Sequence, residues 1–514
     1  MHKRIPYDKK LVCHAIEILI GVFLLKHNDS SPVMTTINEQ KEKRAVFLKF
    51  QRLMVILCEN CYMKEIRYTM KETLEFSMLT SFEKNFEADR NNRVAMNATI
   101  TNGILESCKT VEALVENRHS FSVNIETGNI TNQKKSGRCW MFAALNVMRL
   151  EIMDKLNLKN IELSQSYPLF WDKLEKSNYF LENILETLEE PLEGRVVSYL
   201  LKSPLGDGGQ WDMFSNLVRK YGVVPKEIMP ESKVSSETMT MDNLLTAKLR
   251  EFACALRTGN CEAKSLDELR KLKETQLATI YDMLCISLGK PPKKFTYEIR
   301  DKDGEFIRIS DITPQRFYEK YVSLDLDEYV SLINAPTDDK PYGKTYTVQY
   351  LGNVRGGKEV NYLNLPIEEL KKAAIRQMQD GKAVWFGSDV GQSSDRKTGM
   401  LALDTYDLEN LFSTTFPMSK AQRLDYGESL MTHAMVLTGV NLDVEGKPNR
   451  WRVENSWGEE PGEKGFFVMS DEWFNEFTYQ IVVNVKYLSE EQRQMLKLQP
   501  IVLKPWDPMG SLAL

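Results

Sequence analysis

The chain has 514 residues, of which 42% are hydrophobic and 27% are charged, an ordinary balance for a globular protein with a sizeable core. It carries 67 basic and 72 acidic residues, a net charge of −5. No global positive field therefore favours nucleic acid or an anionic membrane.

The N-terminal segment contains a mostly apolar run, residues 11–25, behind a basic start. This pattern is typical of a signal peptide or membrane anchor. His14 and Glu17 interrupt the run, which is too short to span a bilayer, and no small-residue cleavage site follows. We interpret residues 1–69 as an N-terminal extension or as the result of an upstream translation start, and expect no membrane segment, with an anchor as the alternative.

Eight cysteines lie at positions 13, 58, 61, 108, 139, 254, 261 and 285, without the spacing of a disulfide framework. This usage suits a reducing compartment, so we predict a cytoplasmic protein. Cys58 and Cys61 form a lone CxxC without a second pair or a nearby histidine, and we do not interpret it as a zinc or redox site. No metal and no cofactor are predicted.

A possible nucleophile follows two predicted helices, 74–89 and 105–117. Residues 133–143 have the sequence Gln-Lys-Lys-Ser-Gly-Arg-Cys-Trp-Met-Phe-Ala, with Cys139 at the start of a predicted buried helix. A thiol at a helix N-terminus beside a basic residue has a lowered pKa, which favours the thiolate. Gln133 offers an amide to a developing oxyanion. A buried cysteine is more often inert core, but this combination favours a catalyst.

The next part of the chain, 161–225, is predicted to be largely helical and contains Gly208 and Gly209. From about 230 to 375 the chain is rich in Lys and Glu with helical periodicity, and we expect an insertion there. Strands are predicted over 383–386, 434–440, 450–453, 466–468 and 481–485. A helical part followed by a strand-rich part predicts an α+β fold.

A cysteine nucleophile requires a proton acceptor, and His433 is the one histidine downstream of Cys139. It stands at the mouth of a predicted strand, although a core histidine bonded to a backbone carbonyl is the alternative. Asn455, 22 positions later, can accept an imidazole N–H and orient the ring. Trp457 can cover that hydrogen bond.

The set Gln133, Cys139, His433 and Asn455 resembles the catalytic residues of papain-clan cysteine peptidases, and Gly208-Gly209 resembles their substrate wall. His433 lies 294 positions after Cys139, against about 130–150 in papain-type enzymes, which indicates a large insertion. The bleomycin hydrolase and bacterial aminopeptidase C family has such an insertion. Its blocks resemble Ser-Gly-Arg-Cys-Trp-Met-Phe-Ala-Ala-Leu-Asn, Gly-Gly-Gln-Trp-Asp-Met and the C-terminal Pro-Trp-Asp-Pro-Met-Gly-Ser-Leu-Ala-Leu.

The resemblance implies a papain-like, two-lobed α+β fold, with a helical lobe, a β-barrel-like lobe and a large helical insertion. It implies a peptidase domain over 70–514, an insertion at about 230–375 and an active-site tail over 505–514. The implied catalytic residues are Cys139 as nucleophile, His433 as acid and base, Asn455 as its orienting partner, and Gln133 as oxyanion donor. The implied substrate-binding residues are Gly208, Gly209, Trp457 and Leu514.

The implied function is a thiol aminopeptidase that releases residues from peptides with a free N-terminus, assembled as a homohexamer. In the family the terminal carboxylate faces the substrate's amine. Here the Leu-Ala-Leu ending differs from the commoner Ala-Leu-Ala, so that the carboxylate lies one residue further in or requires trimming. Three alternatives stay open: a papain-like endopeptidase, acyl transfer to an amine, and a non-catalytic nucleic-acid-binding or scaffold ring. The charge balance makes nucleic acid an unexpected partner.

Overall fold

The computed structural model describes residues 73–322 and 324–513. The apolar run 11–25, the Cys58–Cys61 pair and Leu514 lie outside the described residues. The chain divides after Val94 into two units, and the main sheet and the candidate site belong to the second. Among the helices that the structure describes, none combines the length and apolarity needed to cross a membrane.

Helices and strands alternate irregularly along the chain. The helices are α1 (Phe76–Ala88), α2 (Arg90–Asn102), α3 (Ile104–Ser107), α4 (Glu112–Glu116), α5 (Cys139–Lys155), α6 (Ser166–Glu186), α7 (Arg195–Lys202), α8 (Trp211–Tyr221), α9 (Met239–Cys261), α10 (Leu266–Leu288), α11 (Pro314–Phe317), α12 (Ile367–Gln379), α13 (Leu408–Phe412), α14 (Lys420–Tyr426), α15 (Asp471–Phe477) and α16 (Glu490–Met495). The strands are β1 (Val123–Asn124), β2 (Phe295–Arg300), β3 (Phe306–Ile312), β4 (Tyr329–Ile333), β5 (Thr345–Val348), β6 (Tyr362–Asn364), β7 (Val384–Ser388), β8 (Ser394–Asp395), β9 (Met400–Leu401), β10 (His433–Leu442), β11 (Pro448–Glu454), β12 (Phe466–Ser470), β13 (Thr478–Asn484) and β14 (Ile501–Leu503).

One mixed sheet organises the second unit, in the order β14-β5-β6-β4-β13-β7-β10-β11-β12-β9-β8, with β1 also paired to β10. The strands β10 and β11 are antiparallel neighbours, with Val436 opposite Glu454. The start of β10 and the end of β11 therefore lie side by side at the same end of the strands. This register brings His433 and Asn455 to one place, although they are separated along the chain.

The helix α5 is apolar on nearly every face, and its residues from Cys139 to Arg149 are all buried. A helix that is hydrophobic all round belongs in a core. Its one deeply buried cation, Arg149, lies 2.7 Å from the Glu454 carboxylate, and both side chains are 1% exposed. Arg149 also donates to the backbone oxygen of Asn129 at 2.7 Å. This ion pair joins α5 to β11.

The predicted strands of the C-terminal half are confirmed as β7, β10, β11, β12 and β13, with ends that differ by a few residues. The expected helix over 105–117 is wrong. The backbone there leaves the helical path because Lys109 forms a bridge with Tyr406, and Thr110 N–H donates to the Thr405 carbonyl at 3.1 Å. The chain is helical only on either side, as α3 and α4.

The segment expected as a helical insertion is helical in its first half, where α9 and α10 each run for 23 residues. Its second half holds the β2–β3 hairpin and the strands β4, β5 and β6, which join the main sheet beside β13 and β14. The four residues of β5 are all buried, since it lies between two paired strands. The prediction of a helical insertion is therefore confirmed for its first half and wrong for its second half.

We predict that Arg149→Met lowers the free energy of unfolding by about 3–5 kcal/mol, because it leaves the Glu454 carboxylate buried without its cation. The double variant Arg149→Met/Glu454→Met should recover most of this loss, since no lone charge remains buried. Urea denaturation followed by circular dichroism measures both effects. The matched control is Lys447→Met, which breaks an exposed pair with Glu445 and should cost less than about 1 kcal/mol. Equal losses in the two single variants would contradict the prediction.

Candidate active site

The loop before α5 is fixed by the backbone and side chain of Asp207. Gly137 N–H donates to Asp207 Oδ2 at 2.8 Å, and Trp140 Nε1 donates to the Asp207 carbonyl oxygen at 2.7 Å. A Cβ at Gly137 would lie only 2.8 Å from the Asp207 Cβ, so this close approach requires glycine. Cys139 is thereby held at the first residue of α5, where it is 3% exposed.

The lowered pKa expected for Cys139 is wrong for this conformation, since burial raises the pKa of the thiol to about 11. Asp207 adds to the rise, whereas the backbone N–H groups of Ala434 and Trp140 act to lower it. The basic neighbour Arg138 supplies little positive field. Its guanidinium is fully buried in a bidentate pair with Glu231, at 2.9 and 2.7 Å.

His433, at the first residue of β10, lies beside Asn455. The distance from His433 Nε2 to Asn455 Oδ1 is 2.9 Å, and the same oxygen accepts the Ser456 backbone N–H at 2.8 Å. Because that oxygen can only accept, Nε2 carries the proton and Nδ1 keeps its lone pair for the thiol proton. Trp457 lies over the imidazole, with ring centroids 4.9 Å apart and planes inclined by 33°.

Burial lowers the pKa of His433 to about 4, although the hydrogen bond to Asn455 acts in the opposite direction. With the pKa of Cys139 raised, each group alone is held neutral. Moving the proton from thiol to imidazole forms both charges together, and their attraction offsets part of the cost of desolvation. By this argument, forming the thiolate and the imidazolium together costs less free energy than ionising either group alone.

Gln133 is oriented by three contacts. Its Oε1 accepts from Ser456 Oγ at 2.7 Å, its Nε2 donates to the Ser136 carbonyl at 2.7 Å, and its backbone N–H donates to the Ser456 carbonyl at 2.8 Å. These contacts use one of the two amide hydrogens on Nε2. The other hydrogen is available to a substrate oxygen, together with the backbone N–H of Cys139 at the N-terminus of α5.

Gly208 and Gly209 line the cleft at close quarters. A Cβ at Gly209 would lie 2.6 Å from the Trp140 ring, so a side chain there would collide with the nucleophile helix. A Cβ at Gly208 would lie 2.1 Å from the backbone oxygen of Leu512 and 3.0 Å from Ala513 Cα. The C-terminal tail therefore passes directly against this glycine.

The tail reaches the cleft from β14 and ends in a 3₁₀ turn over Pro508–Ala513. Four contacts hold it, and each involves a different part of the unit. They are Trp506 under the Arg195 guanidinium at 3.7 Å, Asp507 with Lys340 at 3.0 Å, the Met509 carbonyl with the Tyr362 hydroxyl at 3.1 Å, and Ser511 Oγ with the Met431 carbonyl at 2.8 Å. Leu512 is buried, so the tail is part of the core.

Two buried lysines of α6, Lys173 and Lys176, support the segment with Gly208 and Gly209, which we call the glycine wall. Sequence reasoning did not identify these lysines. Lys176 Nζ donates to the carbonyl oxygens of Gly206 at 2.9 Å and Gly208 at 2.5 Å, and it pairs with Asp172 at 2.8 Å. The available signal was a lysine on the buried face of a helix. A lysine is almost never buried without a partner, so its position there indicates a partner nearby.

Lys173 extends this support to the nucleophile loop. Its ammonium lies 2.7 Å from Asp207, 2.8 Å from Asp242 and 3.1 Å from the Gly206 carbonyl. The same Asp207 holds Gly137, so one cation connects the glycine wall to the loop that presents Cys139. These contacts fix the two sides of the cleft relative to each other.

The structure brings together His433, Asn455, Trp457 and Gln133, and the Cys139 thiol lies beside the backbone N–H of Ala434, next to His433. Gly208 and Gly209 lie beside the tail and the Trp140 ring, whereas Leu514 lies outside the described residues. The arrangement can transfer a proton from a thiol to an oriented imidazole beside two N–H donors. This is the chemistry of nucleophilic acyl transfer.

Known proteins resemble the chain over most of its length. A model of the Peptidase C1-like family matches residues 73–510. Aminopeptidase C of Listeria monocytogenes is 49% identical over 87% of this chain and 100% of its own, and human bleomycin hydrolase is 44% identical over 82% and 94%. The crystal structure of PepW from Lactobacillus rhamnosis superimposes with a TM-score of 0.84 at 50% identity, covering 85% of this chain and 99% of that one. The predicted papain-like α+β fold is confirmed, and the chain belongs to the Peptidase C1-like family of cysteine peptidases.

Proposed function

We propose that this chain is a cysteine aminopeptidase that releases N-terminal residues from peptides, as its aminopeptidase C relatives suggest. Cys139 Sγ attacks the scissile carbonyl while His433 Nδ1 takes its proton. Gln133 Nε2–H and the Cys139 backbone N–H bind the oxyanion. The intermediate collapses to an acyl-enzyme as His433 protonates the departing amine, and His433 then activates water for deacylation.

The proposal of an exopeptidase rests on the position of Leu512 against Gly208. In a papain-like cleft, the glycine wall is where the substrate backbone lies on the acyl side of the scissile bond. A tail in that space leaves room for little more than one residue before the nucleophile. The backbone of Ala513 is also beside Gly208, which further narrows the space on the acyl side.

A papain-like endopeptidase is the second candidate, because the nucleophile and the base would be the same. A non-catalytic ring is disfavoured by the proton-transfer geometry at His433 and Asn455. Acyl transfer to an amine would use the same acyl-enzyme and differ only in products. Substrate preference separates the endopeptidase from the aminopeptidase, and the absence of turnover would identify a non-catalytic ring.

The first test compares fluorophore release from free-amine and N-blocked aminoacyl substrates, with and without iodoacetamide. We expect iodoacetamide-sensitive cleavage of the free-amine form only. Deletion of residues 511–514 should add cleavage of N-blocked peptides, because it vacates the space beside Gly208. Ser511→Ala, which keeps the tail length but removes the hydroxyl bonded to Met431, is the control and should retain the preference. An unchanged preference in the deletion variant would rule out the tail as the cause.

We predict that Cys139→Ala abolishes turnover without unfolding the chain, since a small side chain replaces a buried thiol. Gln133→Ala should lower kcat by about 10²–10³, the usual effect of losing one oxyanion donor. Steady-state kinetics and a thermal melt measure both variants. A Gln133→Ala enzyme with normal kcat would show that Gln133 does not bind the oxyanion.

We also propose a cytoplasmic homohexamer. Among the described cysteines, Cys108, Cys139, Cys254, Cys261 and Cys285 are all free thiols, which suits a reducing compartment. The assembly is inferred from family resemblance. Light scattering should give a mass near six copies of the 59.4 kDa chain, and a mass near one copy would contradict the hexamer.

A further inference from the structure

The side of the cleft that receives the leaving group is marked by His433. The imidazole must protonate the departing amine, so the residues beyond the scissile bond lie on the imidazole side. Trp457 covers that imidazole at a ring distance of 4.9 Å. The tail occupies the acyl side, against Gly208, and leaves the Trp457 side to the leaving group.

An exposed guanidinium lies over the other part of this tryptophan. Arg396 Cζ is 4.6 Å from the centroid of the Trp457 ring. Its positive charge acts to lower the pKa of the His433 imidazole. Across residues 73–322 and 324–513, no carboxylate forms an ion pair with Arg396, so its exposed N–H donors are available to an anion.

The backbone that carries Arg396 is held firmly. Arg396 follows Asp395, the last residue of β8, and Asp395 is 7% exposed. The Asp395 carboxylate pairs with Lys109 at 2.5 Å and accepts from Thr398 Oγ1 at 2.6 Å and from the Lys397 N–H at 3.1 Å. A fixed turn and a stacked side chain reduce the entropy lost when the guanidinium binds an anion.

We propose that Arg396 binds the C-terminal carboxylate of short peptide substrates and so makes the enzyme favour di- and tripeptides with a free acid end. The inference rests on the proposed aminopeptidase function. Two successive contacts, of 4.6 and 4.9 Å, separate the guanidinium from the imidazole. An extended chain spans about 3.3–3.6 Å per residue, so a leaving group of one or two residues has the required reach. A planar guanidinium matches a carboxylate in a bidentate fork.

The test compares Arg396→Gln with the parent enzyme on aminoacyl-glycine and aminoacyl-diglycine peptides, each as the free acid and as the C-terminal amide. In the parent enzyme we expect kcat/KM for one or both acids to exceed that of the matching amide by about fivefold. The variant should lose this ratio through a higher KM with little change in kcat, because the contact binds substrate and transition state alike. Added salt should reduce the parent's ratio by screening.

Two comparisons make the result decisive. Lys397→Gln removes the adjacent exposed charge, which lacks the contact with Trp457, and it should leave the acid-to-amide ratio unchanged. A neutral aminoacyl fluorophore should be cleaved equally by the parent enzyme and Lys397→Gln. If that fluorophore is cleaved but Arg396→Gln keeps the parent ratio, the inference is overturned. If Arg396→Gln affects only peptides with an acidic side chain, the terminal carboxylate is also the wrong ligand. Failure of the parent enzyme on the fluorophore would instead overturn the proposed function.

Discussion

The buried ion pair between Arg149 and Glu454 is the contact on which the geometry of the site depends. It ties the middle of the nucleophile helix to the last residue of β11, immediately before Asn455. A charge in the core is tolerated only with a well-placed opposite charge, so the two elements have little freedom to shift against each other. Cys139 and Asn455 lie at the near ends of these two elements. Their relative positions are consequently set at some distance from the chemistry.

Buried ion pairs also hold the residues around the nucleophile loop in place. Arg138 is occupied by Glu231, Lys173 by Asp207 and Asp242, and these pairs leave little net field at the thiol. Reactivity then depends on the mutual stabilisation of a thiolate and an imidazolium within a dry site. Arg396 differs from these cations because it is exposed and lies over the Trp457 ring.

Much of the site could be predicted from sequence because its key residues occur in short, dense motifs. Cys139, His433 and Asn455 each stand at the end of a regular element, where periodicity and chain order identify them. The support that Lys176 gives to Gly206 and Gly208 could not be assigned in the same way, since these partners are main-chain carbonyls about thirty residues away, which leave no mark on residue type. The helix expected over 105–117 failed for a related reason, because distant backbone at Thr405 competes for its hydrogen bonds. The thiol pKa was misjudged because its burial, which raises the pKa, cannot be read from the residues beside Cys139 in the sequence.

The anchored C-terminal tail occupies the space beside Gly208 and therefore competes with any ligand that would bind there. A segment joined covalently to its own binding groove has an effective concentration on the order of millimolar, which dilution cannot reduce. Its contacts are distributed over Trp506, Asp507 and Met509, so losing one contact leaves the others in place. A long peptide therefore competes against a tethered occupant at every encounter. Inhibitors that extend along the acyl side would face the same penalty, whereas compounds built outward over Trp457 would avoid it.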